Sequence, residues 1–247
     1  MPGAGSLDTR PRVASPGKLL VAPGLALIFD LDGVIVDSMP VHERAWRRYL
    51  ESLRIDAGDI PSRMHGRRND EIVRDFVGAE VDLHTVLAHG AAKERLFRDM
   101  LRERLRQHLV PGIAAWLEHI SGAPIALATN AERANIDFIL DGAGRDGGER
   151  DGAGLRPYFD VIVDGSEVAR PKPAPDVYLR AAELLEIPPR NCVVFEDSPV
   201  GVAAALAAGM RVVGVLTHSS PLSGVLLSVP NFLDPQLDSW LSAQSAE

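Results

Sequence analysis

The sequence predicts an α/β protein: a parallel sheet covered by helices on both faces, with an α-helical cap inserted after the first sheet strand. Three observations predict it. Five short apolar runs, Leu25–Phe29, Pro124–Ala128, Val161–Val163, Cys192–Phe195 and Val212–Val215, read as buried strands. Helical patterns separate the later runs, and alternating strands and helices imply parallel pairing with crossover helices. Between the first two runs lie roughly seventy residues of mostly helical pattern, too many for one crossover helix.

In chain order, residues 1–17 are rich in Pro, Gly and Ser and read as a flexible tail. Residues 18–38 open the core. The cap spans 39–109. Its first helix carries Val41, Ala45, Trp46, Tyr49, Leu50 and Leu53 at helical spacing, with Pro40 suited to the first turn. A turn centred on Gly66 leads to a short helix with Ile72, Val73, Phe76 and Val77, and a longer helix or pair runs from about Leu83 to Leu109. Pro111-Gly112 marks the return, and residues 110–247 complete the core. Within them, the glycine-heavy segment 141–154 has no apolar periodicity and reads as a flexible surface loop. Leu237, Trp240 and Leu241 suit a last helix packed on the sheet.

Bulk properties narrow the function. The chain has 247 residues, 46% hydrophobic and 24% charged, which suits a globular α/β domain with an insertion and needs no disulfides. Its net charge of −8 argues against a nucleic-acid or membrane-surface partner, although a local cation can still serve an anionic substrate. The single cysteine, Cys192, reads as a small buried apolar residue. Arg10, Arg12 and Lys18 before Leu19-Leu20-Val21-Ala22 suggest a secretion signal, but Pro23-Gly24 interrupts the run and cleavage beyond it would remove Asp30. A cytoplasmic monomer is the default expectation.

The chemistry gathers where strands run out. Asp30 and Asp32 follow the first apolar run, and Gly33 turns the chain behind them. Two carboxylates this close repel unless a cation or a proton separates them. Thr129-Asn130 follows the second run and Glu196-Asp197-Ser198 the fourth, while Lys172 lies in a proline-rich loop after the third. Each cluster has an ordinary explanation: Thr129-Asn130 and Asp197-Ser198 suit helix caps, Lys172 suits solvent, and Asp32 suits a turn. Taken together, they bring two carboxylate pairs, a hydroxyl–amide pair and a lysine to one edge of one sheet, where ligands of open α/β sheets bind. That inventory suits phosphoryl transfer.

The ordered set Asp30-Leu31-Asp32-Gly33-Val34-Ile35-Val36-Asp37-Ser38, Thr129-Asn130, Lys172-Pro173-Ala174-Pro175-Asp176, and Glu196-Asp197-Ser198 with Gly201 resembles the haloacid dehalogenase superfamily. The chain is most similar to the branch holding phosphoglycolate phosphatases, sugar-phosphate phosphatases and β-phosphoglucomutase. The resemblance covers about residues 20 to 217 and implies a Rossmann-like core with a helical cap. It implies Asp30 as the nucleophile forming an aspartyl-phosphate, and Asp32 as general acid and base. It implies Mg²⁺ held by Asp30, the Asp32 carbonyl and Asp197, with Glu196 as a further ligand or neighbour of the ligands. Thr129 and Asn130 would bind the phosphoryl oxygens, and Lys172 would neutralise their charge. Removal of Lys172 should then cost rate more than folding.

Departures from the family pattern refine the activity. True dehalogenases lack an aspartate at the place of Asp32, which argues against dehalogenation. His42-Glu43-Arg44-Ala45-Trp46 resembles a mutase segment whose histidine contacts the general acid, and Lys93 resembles a cap lysine that contacts sugar phosphates. In the cap loop His65-Gly66-Arg67-Arg68-Asn69-Asp70, however, Asn69 stands where the mutase carries the arginine for its non-reacting phosphate. Arg67 and Arg68 are the candidate substitutes. Thr129-Asn130 also follows many phosphatases, not the mutase's serine-alanine. The expectation is a Mg²⁺-dependent phosphatase of a small phosphorylated metabolite, of the sugar phosphate or phosphoglycolate type. Its rivals are a β-phosphoglucomutase-like mutase and a non-catalytic binding module on the same fold.

Overall fold

The computed structural model describes residues 17–64, 67–141, 153–218 and 221–246. The expected tail therefore lies almost wholly outside the described residues, as do His65, Gly66 and most of the glycine-rich loop.

The main sheet has six strands, all parallel: β2 (Ala26–Phe29), β4 (Ile125–Ala128), β5 (Val161–Val163), β6 (Cys192–Glu196), β7 (Arg211–Val215) and β8 (Leu227–Val229). Their order across the sheet is β5-β4-β2-β6-β7-β8. Two two-residue strands, β1 (Leu19–Leu20) and β3 (Ile120–Ser121), pair separately. All five expected strands form, with ends shifted by at most a residue. β8 escapes the sequence reading because Leu227-Ser228-Val229 is a three-residue edge strand with a polar centre.

Side chains on successive strand residues face opposite sides of the sheet. Leu27, Phe29, Ile125, Leu127, Val193 and Phe195 enter one apolar cluster, with Trp116, Ile136, Ile139, Leu237 and Leu241. These last come from α5 (Ile113–His119), α6 (Arg133–Asp141) and α9 (Pro235–Ser242). Ala26, Ile28, Ala126, Ala128, Cys192 and Val194 enter the other cluster, against Val177, Tyr178, Ala181, Val202 and Ala205 of α7 (Asp176–Leu185) and α8 (Pro199–Ala207). Phe29 and Phe195 stack at 4.5 Å across the β2–β6 pair, so the strands that carry the site's acids are locked together. Cys192 is free and buried, and burial raises its thiol to about 12, as befits a packing residue.

Four helices lie between β2 and α5: α1 (Met39–Ser52), α2 (Ile60–Met64), α3 (Asn69–Val77) and α4 (Leu83–Leu101), followed by a 3-10 turn over Arg102–Gln107. Trp46, Leu50, Ile60, Met64, Ile72, Val73 and Val86 form a third apolar cluster of their own, so the insertion has its own core. Pro40 falls in the first turn of α1, where its missing N–H costs nothing. Leu53 lies just past the end of α1 and is exposed. Asp37 donates its backbone N–H to His108, and Val36 bridges Leu109, so the two chain crossings into the insertion run side by side.

The expected loop 141–154 is shorter than the sequence suggests. Asp141 ends α6 and pairs with Arg156, while Ala153 and Gly154 donate backbone N–H groups to Ile139 and Leu140. Open carbonyls at the C-terminus of a helix need partners, and the returning chain supplies them.

Candidate active site

Asp30 directly follows the central strand β2, Thr129 directly follows β4 on one side, and Glu196 ends β6 on the other, with Asp197 next to it. The sheet order thus brings three sequence-distant motifs to one rim. The fourth arrives from the β5–α7 loop, which turns Lys172 inward.

Lys172 is buried, with Nζ 2.8 Å from Asp30 Oδ1 and 2.8 Å from Glu196 Oε1. Burial opposes its charge, but the two carboxylates outweigh burial and push the ammonium up to about 12. Glu196 is fully enclosed. Tyr178 donates to its Oε1 at 2.7 Å, and the backbone N–H groups of Asp197 and Ser198 and the Ser198 hydroxyl donate to its Oε2, each at 3.0 Å. Burial would raise its pKa, yet Lys172 and these donors hold it below the usual range. Asp30 lacks such support. Burial, offset in part by Lys172 and reinforced by Glu196 and Asp32, raises its carboxyl to about 7. Asp197 is driven well above its ordinary value by burial and by the neighbouring Glu196, Asp30 and Asp32.

Two glycines make room for this crowding. At Gly33, where φ is +82°, a Cβ would collide with the Asp197 carboxylate. At Gly201 it would collide with Glu196. Ser198 caps α8, its side chain accepting from the Gly201 N–H. The helix-cap reading of that motif therefore holds for Ser198, while Glu196 and Asp197 face the site.

Asp30, Glu196 and Asp197 each offer an oxygen within 4.8 Å of one another. Three carboxylates against one lysine leave an excess of negative charge, and an all-oxygen donor set suits a hard divalent cation such as Mg²⁺. The residues present fit that ion.

Thr129 is buried; its N–H donates to Val163 O and its Oγ1 accepts from the Ala131 N–H at 3.2 Å. Asn130 Oδ1 accepts the Lys172 backbone N–H at 3.1 Å, fixing the lysine loop. The next helix starts only at Arg133, so neither residue is its N-cap.

Asp32 accepts a hydrogen bond from Ser38 Oγ at 2.5 Å, and His42 Nε2 lies 3.7 Å from the same oxygen. Burial would raise its pKa, but His42 and Ser38 hold it below the ordinary value. Lys93 is not the solvated lysine its helix position suggests. It is buried, with Nζ 2.8 Å from His42 Nδ1 and 2.6 Å from Glu94 Oε1. His42 stacks on Phe97 at 3.7 Å.

The two arginines at the loop before α3 diverge. Arg67 turns into the insertion, binding Asp75 Oδ2 at 3.1 Å and the carbonyls of Arg63 and Glu71. Arg68 reaches the core, donating to Gly165 O at 3.1 Å. Gly165 packs against the Asn130 backbone so closely that a Cβ would not fit. Arg68 is therefore at the site's edge and Arg67 is away from it.

Sequence reasoning missed Ser38, Tyr178, Glu94 and Asn135. Ser38 closes the first motif and Tyr178 lies two residues past Asp176, so both had a positional signal. Glu94 and Asn135 had none: charged and amide side chains on a helix are usually solvated.

A parallel-sheet rim with an acidic cluster, a buried lysine and a hydroxyl–amide pair defines a phosphoryl-handling hydrolase class. The comparisons agree. The sequence profile of haloacid dehalogenase-like hydrolases matches residues 25–209. The chain belongs to that family. It is 34% identical over 194 residues to fructose-1-phosphate phosphatase YqaB of Escherichia coli K12, covering 76% of this chain and 95% of that one. It is 30% identical over 221 residues to β-phosphoglucomutase of Bacillus subtilis 168, covering 86% and 92%. The structure of CbbY from Rhodobacter sphaeroides in complex with phosphate superposes with a TM-score of 0.68 at 25% identity, covering 85% of this chain and 95% of that one.

Proposed function

We propose that the protein is a Mg²⁺-dependent phosphatase of a small phosphorylated metabolite, working through an aspartyl-phosphate on Asp30. The observation that carries this reading is the contact of Lys172 with both Asp30 and Glu196 at 2.8 Å, beside Asp197, at one sheet rim. Asp30, Glu196, Asp197 and the Asp32 backbone carbonyl would hold Mg²⁺. When bound, the ion offsets carboxylate and phosphate charge and lets two anions approach.

In this reading the Asp30 oxygen not held by Lys172 attacks phosphorus as the bond to the leaving oxygen breaks. That oxygen takes a proton from Asp32, whose pKa the charge of the bound phosphate would raise against the His42 and Ser38 contacts that lower it in the free protein. Asp32 then removes a proton from the water that cleaves the acyl phosphate. Ser38 and His42 orient its carboxyl between these steps. Lys172 and Thr129 stabilise the charge gathering on the phosphoryl oxygens, and Asn130 holds the Lys172 loop in place. Helices 39–101 act as the cap, with His42, Lys93 and Arg68 brought against the core and Arg67 serving the cap's own structure. The cap excludes bulk water, as lids do. Among the described residues no helix is long and apolar enough to cross a membrane.

The test is phosphate release from p-nitrophenyl phosphate, with Mg²⁺, with EDTA and in Asp30→Asn. Activity that needs Mg²⁺ and disappears in the variant is expected; full activity in Asp30→Asn would sink the nucleophile assignment. The likeness to β-phosphoglucomutase keeps a mutase as the second reading. It predicts interconversion of glucose phosphates, stimulated by the bisphosphate, with little free phosphate. A protein that binds Mg²⁺ but turns over no phosphoester would be the binding module.

A further inference from the structure

We propose that Glu94 is a specificity-determining residue that tunes the cap for an uncharged, hydroxyl-bearing leaving group and against one carrying a second phosphate or a carboxylate. This rests on the phosphatase reading above and goes beyond it, to the substrate class.

Glu94 is a charged residue buried where the insertion meets the core. Its Oε1 accepts from Asn69 Nδ2 and from Lys93 Nζ, both at 2.6 Å, and its Oε2 accepts from Asn135 Nδ2 at 2.7 Å. It therefore joins α3, α4 and the core helix α6 at one carboxylate. His42 Nδ1 lies 4.0 Å from it, and His42 in turn faces Asp32. A buried negative charge thus lies two side chains behind the reacting end.

The cations around it are already engaged. Lys93 is held by Glu94 itself. Arg98 donates to Asn135 Oδ1 at 2.7 Å and pairs with Glu132 at 3.1 Å. Arg67 is on Asp75, and Arg68 is on Gly165 O with Asp70 at 3.9 Å. A second anionic group would have to take a cation from one of these partners and leave a buried carboxylate exposed to its own charge. In a partly dehydrated site, unpaired like charges a few ångströms apart weaken binding on the order of tenfold or more. Asn69, by contrast, is a half-buried neutral amide whose Oδ1 can accept from a hydroxyl group while its Nδ2 stays on Glu94. Asn69 is held to Glu94, so the carboxylate also fixes the cap loop that faces Asn130 and Gly165.

The experiment uses the full chain loaded with Mg²⁺. D-fructose 1-phosphate and D-fructose 1,6-bisphosphate share a skeleton and differ by one phosphate; phosphoglycolate adds a carboxylate. Each is measured by phosphate release, and by competition against p-nitrophenyl phosphate so that every probe returns a value. The wild type should favour the monophosphate over both anionic probes by about tenfold or more. Glu94→Gln should shrink that ratio by about tenfold, through KM of the anionic probes, with p-nitrophenyl phosphate turnover changing far less. Circular dichroism melts report whether the variant folds. Asn69→Lys, which sets a cation against Glu94 and leaves the Lys93 and Asn135 contacts in place, should shift the ratio the same way and serves if Glu94→Gln does not fold. A wild type that binds the bisphosphate or phosphoglycolate as well as the monophosphate overturns the inference, as does a ratio unmoved in the folded variants. Failure to hydrolyse p-nitrophenyl phosphate at all would instead overturn the phosphatase reading.

Discussion

Two buried acidic centres face each other across the site, and they are built on opposite principles. In the core, Asp30, Glu196 and Asp197 share one lysine, and two of the three carboxyls are raised above their ordinary values. In the insertion, Glu94 alone gathers Lys93, Asn69 and Asn135. Burial would raise its pKa, but Lys93, His42 and the Asn135 amide hold it down to about 2. The core centre has too little positive charge and is set up to receive a cation. The insertion's centre is already satisfied and is set up to hold a shape. A buried carboxylate is therefore not a metal signal by itself; the balance of donors around it decides.

The sharpest way to break this contrast is Asp30→Asn. It should lower turnover by at least about a thousandfold, since it removes the group proposed as the nucleophile. It should also make the metal-free protein more stable at pH 8. A carboxyl raised to about 7 in the folded state stabilises fully below the unfolded pKa, and that contribution is lost as pH rises through 7. Removing the ionisable group removes the loss. Mg²⁺ should stabilise the wild type against unfolding, by about 2.7 kcal/mol at a hundred times Kd, and should do much less for the variant. A metal-free variant that melts below the wild type at pH 8 would contradict the charge surplus assigned to the core centre.

Lys172→Met comes next. Its loss leaves two buried carboxylates without their shared cation, a change that costs about 3–5 kcal/mol. The sequence suggested a cost to rate more than to folding; burial adds a folding cost of the same rank. Activity in dilute assay should fall about a hundredfold or more, and urea unfolding with excess Mg²⁺ should recover part of the lost stability. No recovery would mean that the ion does not share the lysine's role.

The uneven legibility of the two centres has a physical cause. The core centre was readable because each of its residues follows a buried strand, and strand ends of a parallel sheet meet at one rim whatever the strand order. The sequence alone therefore puts Asp30, Thr129, Lys172 and Glu196-Asp197 at one rim. The insertion's centre depends on which helix face meets which, and helical periodicity does not encode that. Lys93 and Glu94 are adjacent in Lys93-Glu94-Arg95, a run that looks like a solvated face, and only packing of α4 against α1, α3 and α6 buries them. Asn135 lies in a helix with no charged motif. Arg67 and Arg68 could not be told apart either, because neighbouring side chains on a turn point in different directions.

Glu94→Gln tests the insertion's centre with the opposite sign to Asp30. A carboxyl lowered from 4.5 to about 2 contributes stability above pH 4.5, lost as pH falls toward 2. Linkage sets the contribution at up to about 3 kcal/mol at pH 7. The variant should therefore be less stable than the wild type at pH 7, with the gap narrowing below pH 4.5, whereas Asp30→Asn should gain on the metal-free wild type as pH rises from about 4 to 7. Urea unfolding at pH 4 and pH 7 reads both slopes. Parallel slopes would dissolve the distinction between the centres.

The smallest effect belongs to Arg67 and Arg68, and it separates contact with the core from contact within the insertion. Arg67 binds Asp75 at 3.1 Å with its side chain 37% exposed, and Asp75 keeps Arg63 at 2.9 Å when Arg67 is removed. Exposed pairs of this kind are worth about 0–1 kcal/mol. Arg67→Ala should accordingly lower stability by less than about 1 kcal/mol and leave the KM of the best substrate within about twofold. Arg68 bridges to Gly165 beside Asn130, so Arg68→Ala loosens the insertion where it meets the segment that follows β4. It should raise KM several-fold with stability hardly changed, because a single partly exposed hydrogen bond nets only about 1 kcal/mol. A larger KM effect from Arg67 than from Arg68 would place the substrate on the other side of the cap loop.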